Sequence, residues 1–178
     1  LRASNLIGYD IPGVAEHLIA TLFADDTTVF LKKNDRLSDL MAVLDTWCAV
    51  SGAKFNKEKT EIIPIGQPKY HHDLVRTRKP TVHMDPIPEH IRIATDGEAV
   101  RILEAWYGNG VDATAIWTPT LEKIDATLDW WAARHPTLEG QKHIVQMTIG
   151  GMTQYLTKAQ GMPKHVEQRL VKRVRAFL

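Results

Sequence analysis

The spacing of apolar residues changes character along the chain and divides it into three regions, residues 1–66, 67–110 and 111–178. In the first, His17-Leu18-Ile19-Ala20-Thr21-Leu22-Phe23-Ala24 and Thr27-Thr28-Val29-Phe30-Leu31 flank Asp25-Asp26. β-Branched and aromatic residues on both sides of a polar pair predict two strands joined by a tight turn. Beyond them, Leu37, Leu40, Met41, Leu44, Trp47 and Cys48 recur at helical spacing, and Gly52 is placed to stop the helix. Glu61-Ile62-Ile63-Pro64-Ile65 then reads as a short strand ending near Gly66.

The second region carries Pro68, Pro80, Pro86 and Pro88 and is predicted to be extended and irregular. It closes on the run from Ala99 to Gly108, compatible with a strand or hairpin. The third region is predicted to be helical. Thr118-Pro119 resembles a cap with proline in the first turn, and Leu121, Ile124, Leu128 and Trp131 mark one face. Thr137 opens a second helix that Gly150-Gly151 should bend or break. Pro163 opens a third, with Val166, Leu170, Val174 and Phe177 on its apolar side. The fold class expected is α+β, an antiparallel strand-and-helix part followed by an all-helical one.

Composition changes this picture little. A hydrophobic fraction of 44% and a charged fraction of 24% in 178 residues are those of an ordinary globular chain. No apolar run approaches the roughly 20 residues of a membrane span. Cys48 is the only cysteine, so no internal disulfide forms and no Cys-pair zinc site exists. A net charge of +1 means that any signal for nucleic acid is local. Leu1 in place of Met, and a helical pattern running to Leu178, predict a chain cut from a longer one.

The chemistry concentrates at Asp25-Asp26. Adjacent carboxylates repel and favour a cation between them, and magnesium commonly uses one or two carboxylates plus substrate phosphates. A hairpin apex of this kind could supply half of a two-metal phosphoryl-transfer site; a solvent-exposed Asp-Asp turn is the plain alternative. Phe23-Ala24-Asp25-Asp26 resembles the catalytic signature of reverse transcriptases of non-LTR (LINE-type) retrotransposons. The helix up to Gly52, followed by Phe55-Asn56 and Glu58-Lys59-Thr60-Glu61, resembles the next motif of that family. Ile102-Leu103-Glu104-Ala105-Trp106 is similar to its primer-gripping hairpin, with Glu104 where the family usually has glycine. The stretch from Trp117 to Ile144 is similar to its helical thumb, and Leu156 through Pro163 to fungal elements of the class.

The resemblance implies a partial polymerase palm followed by a thumb, in an RNA-directed DNA polymerase that takes an RNA template, a DNA primer and nucleoside triphosphates. It implies Asp25 and Asp26 as ligands of Mg²⁺, and Lys59 as the group that protonates the departing pyrophosphate. Lys59 could equally be a solvated lysine on an edge strand. A further palm aspartate and the fingers would lie upstream, Asp10 does not match that aspartate, and the chain alone should not polymerise. Copying at a chromosomal target would require the nucleus.

A non-catalytic module is the rival. Lys158, Lys164, Arg169, Lys172, Arg173 and Arg175 face little acidic opposition in the sequence beyond Glu167, and such a helix could neutralise phosphates, with Lys164, Arg169, Lys172 and Arg173 as contacts. An ordinary solvated face explains the same residues. A non-functional relic is the third possibility, because palm strands short of partners expose sticky edges. Trp106, Trp117, Trp130 and Trp131 are expected in core or interface, and His71-His72 has no companion ligand for zinc.

Overall fold

Every strand among the described residues is too short to carry a core of its own. The computed structural model describes residues 4–178, which divide into two compact units, one ending at Asp96 and one running Gly97–Leu178. The sheets are four separate two-stranded pairs, three antiparallel and one parallel. The architecture is therefore mixed, helices with small and mainly antiparallel sheets, in agreement with the expected α+β class. Among the described residues no helix is long and apolar enough to cross a membrane.

In the first unit, β1 (Tyr9–Asp10) pairs with β2 (His17–Leu18), and β3 (Ala20–Phe23) pairs with β4 (Asp26–Val29). What holds these ribbons to the helix that follows is Asp35. Its buried carboxylate accepts the backbone N–H groups of Ile7 at 2.8 Å, Gly8 at 3.0 Å and Lys32 at 2.8 Å. A buried carboxylate is tolerable only when its oxygens are hydrogen-bonded, and here two oxygens satisfy three donors. Gly8 is needed where it stands. Its φ is +71°, and a Cβ there would lie 2.7 Å from the Leu18 carbonyl oxygen.

Helix α1 (Leu37–Ser51) follows the expected periodicity and ends at Gly52, whose φ of 74° closes the last turn. Only Leu40 of its apolar residues is fully buried, and Trp47 and Val50 are exposed. β5 (Glu61–Ile62) is shorter than expected and pairs in parallel with β6 (Arg92–Ile93).

Between them lies a correction. The segment expected to be irregular contains α2 (Pro68–Thr77), with Pro68 in the first turn. Its polar residues hide the pattern: Leu74, with Tyr70 and Val75 beside it, packs on Ile87, Ile91 and Ile93. Arg78 terminates it at φ 56° and clamps the return loop, its guanidinium donating to the carbonyls of Ile87 at 2.9 Å, Pro88 at 2.7 Å and Ile91 at 2.5 Å.

The second unit opens with the hairpin β7 (Val100–Ile102) and β8 (Ala105–Tyr107). Helix α3 (Ala113–Ala132) starts six residues before the expected position, capped by Asp112, whose side chain accepts the Thr114 N–H at 2.8 Å. Pro119 lies inside the helix and cannot donate to the Ala115 carbonyl. Burial overrides that loss: Trp117, Leu121, Ile124 and Leu128 form one stripe that begins before the proline.

α4 (Leu138–Val145) is capped by Thr137 as expected. Gly150-Gly151 does not break the chain. Gln146–Gly150 form a π-helical turn that runs into α5 (Gly151–Gln160), with both glycines at helical φ. α6 (Lys164–Phe177) adds Val166, Leu170 and Phe177 to a core completed by Leu156.

If Asp35 is the anchor of the first unit, Asp35→Asn should cost about 1–3 kcal/mol, because an amide leaves at least one buried N–H facing a donor. Urea unfolding followed by Trp47 fluorescence measures it; an unchanged midpoint would refute the role.

Candidate functional site

The acidic pair sits at the apex of the β3–β4 hairpin. The register Phe23↔Asp26 leaves Ala24 and Asp25 as a two-residue turn, and Asp26 is the first residue of β4. Ala24 takes φ 51°, a left-handed value that a side chain adopts at a cost of about 1 kcal/mol or more. Both aspartates are exposed, and so are Leu22 at 69% and Phe23 at 67% on the strand that leads to them. The expected hairpin forms, but the turn is Ala24-Asp25 and Asp26 belongs to β4, and among the described residues neither strand is covered by a further one.

Lys59 ends a 3₁₀ turn, Lys57–Lys59, that leads into β5. Asn56 builds the turn by accepting the N–H groups of Glu58 at 3.2 Å and Lys59 at 3.3 Å. Lys57 is engaged with Asp45 at 2.9 Å, while the Lys59 ammonium is exposed and free of both aspartates. Among the described residues no three His, Cys, Asp or Glu side chains converge as a metal-binding group. Two neighbouring carboxylates fit a hard cation only in part, as one edge of a site. Asp10 sits in β1, bonded to Lys32 at 2.6 Å and His17 at 3.0 Å. The hydrogen bond from Lys32 holds its carboxyl below the usual carboxylate range.

The second hairpin carries the most strain. Leu103 and Glu104 form its turn at φ 49° and 66°, where glycine is the residue that fits without penalty. Glu104 forms an ion pair with Arg101 across the turn. Two side chains of α5, which sequence reasoning missed, fasten the hairpin: Tyr155 donates its hydroxyl to the Leu103 carbonyl, and Gln160 bonds both backbone groups of Trp106. The amide of Gln160 thus pairs with β8 as another strand would. A side-chain amide has no periodicity, so nothing along the sequence signals this.

On α6 the four basic residues proposed as phosphate contacts separate into two kinds. Arg169 and Arg173 turn inward to α3, where Asp125 accepts from Arg169 at 2.7 Å and from Arg173 at 3.1 Å, and Asp129 also pairs with Arg173. The fold thus supplies opposition that the local sequence lacks. Lys164 and Lys172 are exposed, and with Gln168 and Arg175 they recur at the spacing of one helical face, away from Val166, Leu170 and Phe177.

Of the four tryptophans expected in core or interface, Trp117 is the one that is fully buried. Trp106, Trp130 and Trp131 stay partly exposed, and Arg134 stacks 3.3 Å above the Trp130 ring. His71 is buried with Nδ1 at 2.9 Å from Asp96, a structural pairing within the first unit. No protein-family profile, curated protein or solved structure matches the chain.

Glu104→Gly should leave stability unchanged or raise it by up to about 1 kcal/mol, since relief of the left-handed conformation offsets an exposed ion pair. Glu104→Val should lower it, because a β-branched residue is an outlier at that φ. Thermal melts of the two variants check the ordering, and a less stable glycine variant would contradict it.

Proposed function

We propose that the chain is the palm end and thumb of a non-LTR retrotransposon reverse transcriptase, an RNA-directed DNA polymerase, inactive without the rest of its palm and its fingers. The observation that carries this reading is the hairpin apex at Asp25-Asp26, followed in chain order by the Asn56-capped turn with Lys59 and the strained hairpin at Leu103-Glu104. In an intact parent enzyme Asp25 and Asp26 would hold Mg²⁺, which would supply charge neutralisation to the phosphates, and Lys59 would donate a proton to the departing pyrophosphate. RNA template, DNA primer and nucleoside triphosphate are the partners.

The incompleteness follows from coordination. A two-metal site clamps the attacking and leaving oxygens between ions roughly 3.5–4 Å apart. Two adjacent carboxylates at one exposed apex cannot fix both ions, so the in-line geometry depends on residues from elsewhere in the palm. The uncovered flanks at Leu22 and Phe23 are consistent with a hairpin that belongs in a larger sheet.

In a parent protein that extends a DNA primer on RNA with Mg²⁺, Asp25→Ala should abolish extension, and Lys59→Ala should slow it by about 10²–10⁴-fold. Full activity of the Asp25→Ala enzyme would overturn the assignment.

The second reading, a nucleic-acid-binding thumb without chemistry, is favoured by the outward row Lys164, Lys172 and Arg175, which is exposed and, among the described residues, pairs with no carboxylate. Such a row predicts binding that weakens steeply with salt. Replacing the three residues by Glu should weaken RNA or DNA binding by the chain and flatten its salt dependence. Arg169→Glu should act instead through stability, by breaking the link to Asp125. Binding that survives the triple replacement would exclude this face as the contact.

A further inference from the structure

Leu103-Glu104 is an unfavourable pair for the turn it occupies. The register Ile102↔Ala105 leaves these two residues as the whole turn, and both φ values are positive, at 49° and 66°. That is type I′, which prefers Asn-Gly because side chains resist the left-handed region. Its mirror image, type I, has both φ negative and suits leucine and glutamate, but it splays the two strands. Residue preference and strand twist therefore pull the turn in opposite directions, and a contact from outside the hairpin decides between them.

Helix α5 supplies that contact. Mirror-image turns send the central carbonyl, here that of Leu103, to opposite faces of the hairpin, and the Tyr155 hydroxyl donates to it on one face. Trp106 stands opposite Arg101, one step beyond the closing pair, so its N–H and C=O point away from β7. Gln160, the last residue of α5, takes both: its Oε1 accepts the N–H at 3.2 Å and its Nε2 donates to the carbonyl. The ion pair of Glu104 with Arg101 is exposed and joins side chains only, so it leaves the peptide plane free to turn.

We propose that Tyr155 and Gln160 are positioning residues that hold this turn in its type I′ form, and that the turn so held presents the Glu104 N–H to the backbone of the primer strand. The second half rests on the polymerase reading. The peptide is trans, so a Leu103 carbonyl drawn towards α5 sends the Glu104 N–H to the opposite face. Backbone N–H groups bond phosphate oxygens without reading sequence, as a polymerase moving along a primer requires. Arg101 offsets the Glu104 carboxylate, which by itself would repel a phosphate.

The lock is tested in the full chain by NMR, through the intraresidue HN–Hα NOE, which is strong at positive φ. It should be strong at Leu103 and Glu104 and weaken at both in Tyr155→Phe, a variant that loses one hydroxyl from a half-exposed side chain and keeps its fold. Gln160→Leu should speed hydrogen exchange of the Trp106 amide at least about tenfold, and Gln160→Glu, which keeps the acceptor, should leave that amide protected. Weak NOEs in the unaltered chain, strong ones retained in Tyr155→Phe, or unchanged exchange in Gln160→Leu would each overturn the lock. In a parent protein that extends a primer on RNA, Tyr155→Phe should raise KM for the primer–template about five- to tenfold with kcat little changed. Mere loss of folded enzyme would lower kcat and leave KM alone. An unchanged KM, in an enzyme that Asp25→Ala inactivates, would overturn the primer role. Extension that survives Asp25→Ala would overturn the polymerase reading and the primer role with it, and the NMR measurement decides the lock on its own.

Discussion

Side chains that bond to backbone hold this protein together where sheets cannot. A two-stranded ribbon is marginal in water by itself, and the sheets among the described residues are all such ribbons. Asp35 is the clearest substitute. Its carboxylate gathers the N–H groups of Ile7, Gly8 and Lys32, and so ties the segment before β1, the exit of β4 and the start of α1 into one knot. Arg78 does the converse with three carbonyls, closing the loop that returns to β6. Gln160 completes the set in the second unit, presenting donor and acceptor to one residue of β8. Charged and amide groups suit this work because hydrogen bonds to an ion are about twice as strong as neutral ones.

These anchors determine what the hairpins can present. With its base tied by Asp35, the β3–β4 ribbon projects its apex, and Asp25 and Asp26 meet solvent instead of a neighbouring strand. The turn keeps a left-handed alanine, Ala24, so the apex is strained as well as exposed. The β7–β8 turn holds two such residues and is gripped from α5. Strain that persists in a folded chain needs surroundings that enforce it, and it collects where geometry serves function. The β7–β8 turn has such surroundings in Tyr155 and Gln160.

Regular burial was legible from the sequence, and exceptions to it were not. Leu37 to Cys48 with Gly52, Thr137 at the start of α4, and the Val166–Phe177 period each mark their helix locally. α2 escaped notice because only Tyr70, Leu74 and Val75 among many polar residues carry its apolar side. The start of α3 was misplaced because Thr118-Pro119 imitates a beginning, while Trp117 binds the preceding turn into the core. Gly150-Gly151 resembled a break, yet the helix passes through with a π turn. Among candidate site residues, a hairpin apex at Asp25 followed from strand propensity, although Asp26 falls in β4 and not in the turn. The inward turn of Arg169 and Arg173 did not, since Asp125 lies more than forty residues away in sequence and only the α3–α6 pairing brings it near.

The central proposal is that Asp25 and Asp26 form one edge of a divalent-cation site. Paramagnetic broadening of backbone amides by Mn²⁺, a stand-in for Mg²⁺, tests it most directly. The account predicts weak broadening centred on Ala24 to Thr27, lost in Asp25→Asn/Asp26→Asn and not saturated at low millimolar metal. Broadening centred elsewhere, or a tight stoichiometric site at the apex, would contradict it.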